Sequence, residues 1–312
     1  MIIAIPTNNN NKDIPQKAQN SAYVKWVANA GYTPILVPME ANNEEIVAIS
    51  DGLLLAGGID IDTIYYGYSN SSSFNVDPEK DMHERKLFHM FRKQGKPVLG
   101  VCRGLQLICK EFLHITGNKY EKYIEYVENI NKHTQTNDLS VNRNIPTQFV
   151  KVNIDSLYSK PTTANPEIKT MPVNSMHHQC VAINFNQLNT DFTKPFIGTA
   201  IKEAFIKPTT EPEVLRFKNF ELVAWSMRGV AQPKLSDSKP DYANYWTIAE
   251  AVRIHNWGAP ILATQWHPEE LNDVKLIKSF FNEAHANAVL SKPYTKHLTV
   301  GETNECKTES DV

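Results

Sequence analysis

Cysteine is scarce in this chain. The 312 residues hold four, Cys102, Cys109, Cys180 and Cys306, and no two stand in a CxxC pair. That excludes a disulfide framework and the common zinc-ribbon spacings. Charge of one sign is lacking too. Thirty-two basic side chains face 34 acidic ones for a net charge of −2, and no basic block stands out, which argues against a nucleic-acid backbone or an anionic membrane as partner. No apolar run approaches the roughly 20 residues of a membrane span. The first residues, Met1-Ile2-Ile3-Ala4-Ile5-Pro6, lack a basic n-region and are too short for a signal peptide. These absences together predict a cytoplasmic protein with free thiols.

What is present is an ordinary globular composition, 41% hydrophobic and 21% charged, on a chain long enough for a substantial core. Apolar runs at Ile2–Pro6, Thr33–Pro38, Gly52–Ala56 and Val98–Val101 read as buried strands. Helical patterns over 18–30, Glu44–Ile49, 79–94 and Leu105–Leu113 separate or follow them. Residues 7–17 and 57–78 read as loops. Strands that are apolar throughout and alternate with helices predict an α/β fold, a mostly parallel sheet with helices on both faces.

The second half is less regular. Lys151–Ile154 and Cys180–Ile183 read as strands, and Glu221–Trp225 with Ile248–Ile254 as a late β-hairpin. Pro260–Gln265 is a last core strand and Leu271–Leu290 a closing helix. Residues 128–146 and 229–247 are polar and read as insertions. The expected organisation is one domain over 1–290 and a disordered tail over 291–312.

Two short stretches carry chemistry. Gly100-Val101-Cys102-Arg103-Gly104 places Cys102 at a sharp strand-to-helix turn. A lone cysteine after a strand is most often a small buried hydrophobe. Here the flanking glycines permit a nucleophile elbow. The helix N-terminus favours a thiolate, Arg103 adds positive charge, and its backbone N–H suits an oxyanion. Gln265-Trp266-His267-Pro268-Glu269 supplies an imidazole and a carboxylate on the same side of an extended segment. Pro268 biases His267 toward that conformation. Thiol, imidazole and carboxylate are the parts of a nucleophilic triad. Gly57-Gly58, after the third strand, lets backbone approach a substrate and offers a further N–H. Asp60 and Asp62 lack the spacing of a calcium loop, so no metal is expected. Asn174-Ser175-Met176-His177-His178-Gln179 is dense in hydrogen-bonding groups and reads either as a surface turn or as a wall gripping a polar substrate.

Together with Leu53-Leu54-Leu55-Ala56-Gly57-Gly58-Ile59-Asp60 and Gly104-Leu105-Gln106, these motifs occur in an order that resembles the class I glutamine amidotransferase-like hydrolases of the peptidase C26 group, especially the gamma-glutamyl-gamma-aminobutyrate hydrolases. The likeness runs from about residue 1 to 285. Asp77–Glu84 is similar to that family's Arg-Asp-x-x-Glu helix, with Lys80 where arginine is usual. The resemblance implies a flavodoxin-like core and hydrolysis of a gamma-glutamyl amide through a thioester. Cys102 would be the nucleophile, His267 the base and acid, and Glu269 the orienting carboxylate. The N–H groups of Gly58 and Arg103 would form the oxyanion hole. Gly57, Gln106, Ser175 and His177 would meet the glutamyl head group. It implies no metal and no organic cofactor.

The chain departs from the pattern after the nucleophile helix, where Cys109-Lys110-Glu111 and His114–Glu121 replace an Asn-Val turn and a Gly-Gly-x-Leu-x-Gln-Asp stretch. Cys102 and His267 also stand 165 positions apart (267 − 102), which fits added segments at 128–146 and 229–247. Two rivals remain beside the hydrolase. One is a glutaminase subunit feeding ammonia to a separate synthetase partner, and the other is a catalytically silent binding protein on the same fold. A homodimer is left open.

Overall fold

The computed structural model describes residues 1–10, 16–62, 73, 75–115, 124–126, 142–158, 167–177, 179–183, 216–217, 220–227 and 247–290. Most of both expected insertions (128–141 and 229–246), His178, Cys306 and the expected tail over 291–312 lie outside the described residues. The strands are β1 (Ile2–Pro6), β2 (Asn8–Asn10), β3 (Gln16–Ala18), β4 (Thr33–Val37), β5 (Gly52–Leu55), β6 (Val98–Val101), β7 (Ile124–Tyr126), β8 (Gln148–Asn153), β9 (Ile168–Val173), β10 (Gln179–Ile183), β11 (Arg216–Phe217), β12 (Phe220–Met227), β13 (Thr247–Ile254) and β14 (Ile261–Thr264). The helices are α1 (Ser21–Asn29), α2 (Asn43–Ile49), α3 (Pro78–Lys93), α4 (Arg103–Ile115), α5 (Ile154–Tyr158) and α6 (Val274–Leu290).

Local chemistry explains several boundaries. Asn20 and Asn42 accept hydrogen bonds from Ala22 N and Glu44 N and so start α1 and α2. Asp77 does the same for Lys80 N at the start of α3, with Pro78 at the first helical position. Acidic Glu79 and Asp81 open that helix and basic Arg92 and Lys93 close it, in the sense the helix dipole favours.

Five parallel strands form the core in the order β4-β1-β5-β6-β14. Numbered among themselves they run 2-1-3-4-5, the flavodoxin-like order. Beyond β14 the sheet continues antiparallel through β13, β12, β8 and β9. The hairpin expected at Glu221–Trp225 and Ile248–Ile254 is the β12–β13 pair, with an irregularity at Leu222–Trp225.

Successive side chains of the core strands go to opposite faces. Leu53, Leu55, Val98 and Ala263 join Leu87, Phe88, Phe91, Leu105 and Ile108 of α3 and α4. Ile3, Ile5, Leu54, Leu99 and Leu262 join Trp26, Val27, Leu276, Phe280 and Phe281 of α1 and α6. Among the described residues no helix is long and apolar enough to cross a membrane.

Several details differ from the sequence expectation, among them strands β7 and β11 and the start of the closing helix at Val274 rather than Leu271. Residues 7–17, expected as loop, hold β2 and the first two residues of β3, a short antiparallel pair. The strand expected at Lys151–Ile154 starts earlier, at Gln148, and Ile154 instead opens α5. Strand β9 was not expected. It pairs β8 alone on the described sheet path, and Pro172 sits in it as prolines do on strands with a free edge.

The junction of β6 and α4 is the tightest contact near the site. Gly104, in the first turn of α4, lies so close to β5 that a Cβ there would overlap the Leu55 carbonyl oxygen. Gly104→Ala is therefore expected to push α4 off the sheet and destabilise the protein by about 1–3 kcal/mol, the usual range for overpacking, measured as a shift of the denaturant midpoint.

Candidate active site

The carboxyl ends of β5, β6 and β14 meet at one edge of the sheet, where ligands of open α/β folds bind. Gly57 and Gly58 follow β5, Cys102 follows β6, and His267 follows β14. Cys102 has φ of +53°, a left-handed conformation that costs a non-glycine residue roughly 1–2 kcal/mol. Three contacts hold it there. Its N–H donates to Thr264 O at 2.7 Å, its carbonyl accepts from Gln106 N at 3.2 Å, and Gly104 permits the helix to start at once. The result is a sharp strand–Cys102–helix elbow. Cys102 is 7% exposed, and Gln265 Nε2 lies 3.5 Å from its sulfur.

His267 Nδ1 is 2.6 Å from Glu269 Oε1. That fixes the ring and leaves Nε2 for the Cys102 thiol. Burial alone would lower the imidazole pKa. Glu269 and Cys102 outweigh it and raise His267 to about 10. An imidazolium beside a thiol is the arrangement that stabilises a thiolate. The loop carrying His267 is held from behind by Asn174. Its Oδ1 accepts from His267 N and its Nδ2 donates to His267 O, both at 3.0 Å. Asn174 Nδ2 also reaches Arg143 O, and the Arg143 guanidinium pairs with Glu270. The described end of the first expected insertion thus docks beside the histidine loop.

The remaining expected residues fall around this centre. Gly57 adjoins both Cys102 and His267, for a Cβ on it would stand 3.3 Å from Cys102 Cβ and 2.9 Å from His267 Cε1. Gly58 adjoins Arg103, with 3.8 Å between such a Cβ and Arg103 Cδ. As the first residue of α4, Arg103 has no carbonyl in a preceding helical turn for its N–H. Gln106 is buried under the elbow and gives its amide N–H groups to Gln179 O and Gln265 Oε1. Ser175 is fully buried, and His177 Nδ1 lies 3.0 Å from Gln179 O.

One expectation needs correcting. The Arg103 side chain does not lend its charge to the thiol, because its guanidinium is locked by Asp81 and Glu84 of α3. Lys80 pairs with the same Glu84, so two cations and two carboxylates form a buried, balanced cluster. Burial pushes the Lys80 ammonium down and the Asp81 carboxyl up. Glu84, which burial alone would raise, is held below its usual range by Arg103 and Lys80. Asp81 also accepts from Asp62 N at 3.0 Å. The cluster thereby ties the start of α4 to the loop after Gly58. Among the described residues no group of three or more His, Cys, Asp or Glu side chains could hold a metal ion.

Sequence reading missed Tyr23 of α1. It is 1% exposed, its hydroxyl accepts from Gly57 N at 2.8 Å, and the same oxygen is 3.3 Å from His267 Nδ1. Its only signal was a phenol on a helix face otherwise filled by tryptophan and valine, and a buried phenol needs a partner.

The arrangement defines a class, a protein with a cysteine elbow and a His–Glu pair on a flavodoxin-like sheet. The chain belongs to the Peptidase C26 family, whose model matches residues 1–194. That stretch includes the Cys102 elbow and ends before His267. A Lactococcus lactis subsp. lactis protein, named as glutamine amidotransferase-like, is 29% identical over 163 residues, 51% of this chain and 64% of the relative. The chain thus spans less than two thirds of that relative's length. A protein of Rickettsia prowazekii with the same kind of name is 24% identical over 273 residues, 84% of this chain and 85% of its own. The gamma-glutamyl-gamma-aminobutyrate hydrolase of Escherichia coli is 25% identical over 179 residues, 55% of this chain and 67% of its own. Among solved structures, the Trypanosoma brucei CTPS glutaminase domain with bound acivicin aligns with a TM-score of 0.47 and 13% identity, over 91% of this chain and 94% of that one.

The raised His267 pKa fixes a pH dependence. Its folded value, about 10, stands above the unfolded value of about 6.5. The folded state therefore binds the extra proton, and this contribution to stability is full below about pH 6.5 and lost as pH rises through about 10. The stability advantage of the wild type over His267→Gln, from denaturant melts between pH 6 and 10, is expected to shrink as pH rises. An advantage that grows with pH would rule out a buried imidazolium.

Proposed function

We propose that this protein is a cysteine hydrolase of gamma-glutamyl amides. The observation that carries the reading is the convergence of the left-handed Cys102, the Glu269-bound His267 and the Gly57–Gly58 turn at one sheet edge. Membership of the Peptidase C26 family supports hydrolysis. The likeness to a gamma-glutamyl-gamma-aminobutyrate hydrolase supports the substrate class.

In this reading the Cys102 thiolate attacks the gamma-carbonyl carbon. Negative charge collects on the carbonyl oxygen, facing the N–H groups of Gly58 and Arg103. The C–N bond breaks, and the amine leaves with the proton of His267. His267 then takes a proton from water, which attacks the thioester. The gamma-carboxylate is released and the thiolate restored. Glu269 holds the ring and stabilises its charged form. Gln106, Ser175 and His177 would contact the glutamyl head group. The free thiols of Cys102, Cys109 and Cys180 fit a reducing cytoplasm.

The test is a panel of gamma-glutamyl amides that includes free glutamine. Cys102→Ala is expected to lower kcat by about 10,000-fold or more, as loss of a triad nucleophile does, with an unchanged melting transition. Mass spectrometry of rapidly quenched wild-type enzyme should find a gamma-glutamyl adduct on the peptide containing Cys102. Full turnover by Cys102→Ala would end the reading. Turnover of glutamine alone, rising only with an added synthetase, would favour the glutaminase subunit.

A further inference from the structure

We propose that Tyr23 is a positioning residue that sets the oxyanion loop against the His267–Glu269 pair. The proposal rests on the reading of Cys102 as an acyl-transfer nucleophile, and it adds a residue outside the triad and the oxyanion donors. Tyr23 stands on α1, a helix whose other buried side chains, Trp26 and Val27, pack into the apolar layer. Its ring belongs to that layer, and its hydroxyl does not. The oxygen accepts the Gly57 N–H at 2.8 Å. Its own proton then faces the Glu269 carboxylate, because His267 Nδ1, 3.3 Å away, already donates to Glu269. Burial, followed by the charges of Glu269 and Cys102, raises the Tyr23 pKa well above its ordinary value, so the hydroxyl remains a donor.

Three groups therefore crowd onto Gly57. A Cβ there would lie 2.7 Å from the Tyr23 oxygen, 2.9 Å from His267 Cε1 and 3.3 Å from Cys102 Cβ. With the Gly57 N–H committed to Tyr23, the Gly58 N–H is the one of the pair that can serve a carbonyl oxygen bound at Cys102. Without the hydroxyl, the Gly57 N–H becomes a buried donor with no acceptor, a state unfavourable enough to turn the peptide. The following N–H then loses its aim. Shape alone would be served equally by phenylalanine, so the role belongs to one oxygen atom.

Two reactions of the same thiol separate this role from simple packing. Acylation of Cys102 by p-nitrophenyl acetate passes through a tetrahedral oxyanion, whereas alkylation by iodoacetamide displaces iodide and forms none. In Tyr23→Phe, acylation is expected to slow by about 10- to 100-fold, the effect of one hydrogen bond to a charged group, while alkylation stays within about threefold of wild type. A parallel fall in both rates, or no change in either, would overturn the proposal. If Tyr23→Phe does not fold, 3-fluorotyrosine at position 23 makes the same comparison, because it fills the same space with a weaker acceptor. Slower acylation at unchanged alkylation supports the role, and equal rates overturn it. Cys102→Ala should lose both reactions, and retention of them would sink the nucleophile and Tyr23 together. Failure of the gamma-glutamyl panel with the Tyr23 difference intact would remove the substrate class and leave the positioning role standing.

Discussion

The backbone of Cys102 is the constraint on which the site depends. A cysteine at φ +53° is unfavourable by itself, and the contacts around the β6–α4 junction hold it there. Thr264 O accepts its N–H from the neighbouring parallel strand. The absence of a side chain at Gly104 lets the helix begin against the Leu55 carbonyl. The same turn that strains the residue lifts its thiol to the sheet edge and places it at a helix N-terminus. Stability of the sheet is thereby converted into exposure of one sulfur to a histidine.

The groups around that turn divide into two supporting systems. On the side of α1 and α6, neutral hydrogen bonds do the positioning. Asn174 holds both backbone groups of His267, and Tyr23 holds Gly57. On the side of α3 and α4, charge does it. Arg103 and Lys80 share Glu84, and Asp81 links Arg103 to the amide of Asp62. A buried cluster of this kind contributes little net stability, yet losing one member leaves an uncompensated charge. Its value here is geometric, because it joins the start of α4 to the loop that follows Gly57 and Gly58. The elbow is braced by hydrogen bonds on one face of the sheet and by ion pairs on the other.

The antiparallel half of the sheet extends this frame. β13 pairs β14 along its length, so the strand that delivers His267 is flanked by β6 on one side and β13 on the other. Gln265 N donates to Glu250 O of β13, which fixes the exit of the chain from β14 just before the histidine. Cys102 and His267, 165 positions apart in sequence (267 − 102), meet at one sheet edge.

Much of this was legible in the residues alone. Short, uniformly apolar runs such as Leu53-Leu54-Leu55, bounded by glycine and alternating with helical patterns, read as strands covered on both faces, and that pointed to a mostly parallel α/β sheet. Gly100-x-Cys102-x-Gly104 announced the elbow because both glycines respond to local sterics, and His267-Pro268-Glu269 paired its side chains by alternation over a short span. Strand β9 was not legible, since its pattern is half exposed and broken by Pro172. The destination of Arg103 was not legible either. A cation beside a thiol suggests a local effect, but a long side chain takes the partners that the fold brings, here two carboxylates from α3. Tyr23 carried no motif, because its role depends on one hydroxyl meeting a glycine and a histidine from β-strand ends far along the chain. The sequence by itself determined the parts whose cause is local, namely the turn, the strand pattern and the His–Glu spacing. Only the tertiary structure decided which buried donors and charges found each other, because that pairing is set by strand order and helix packing.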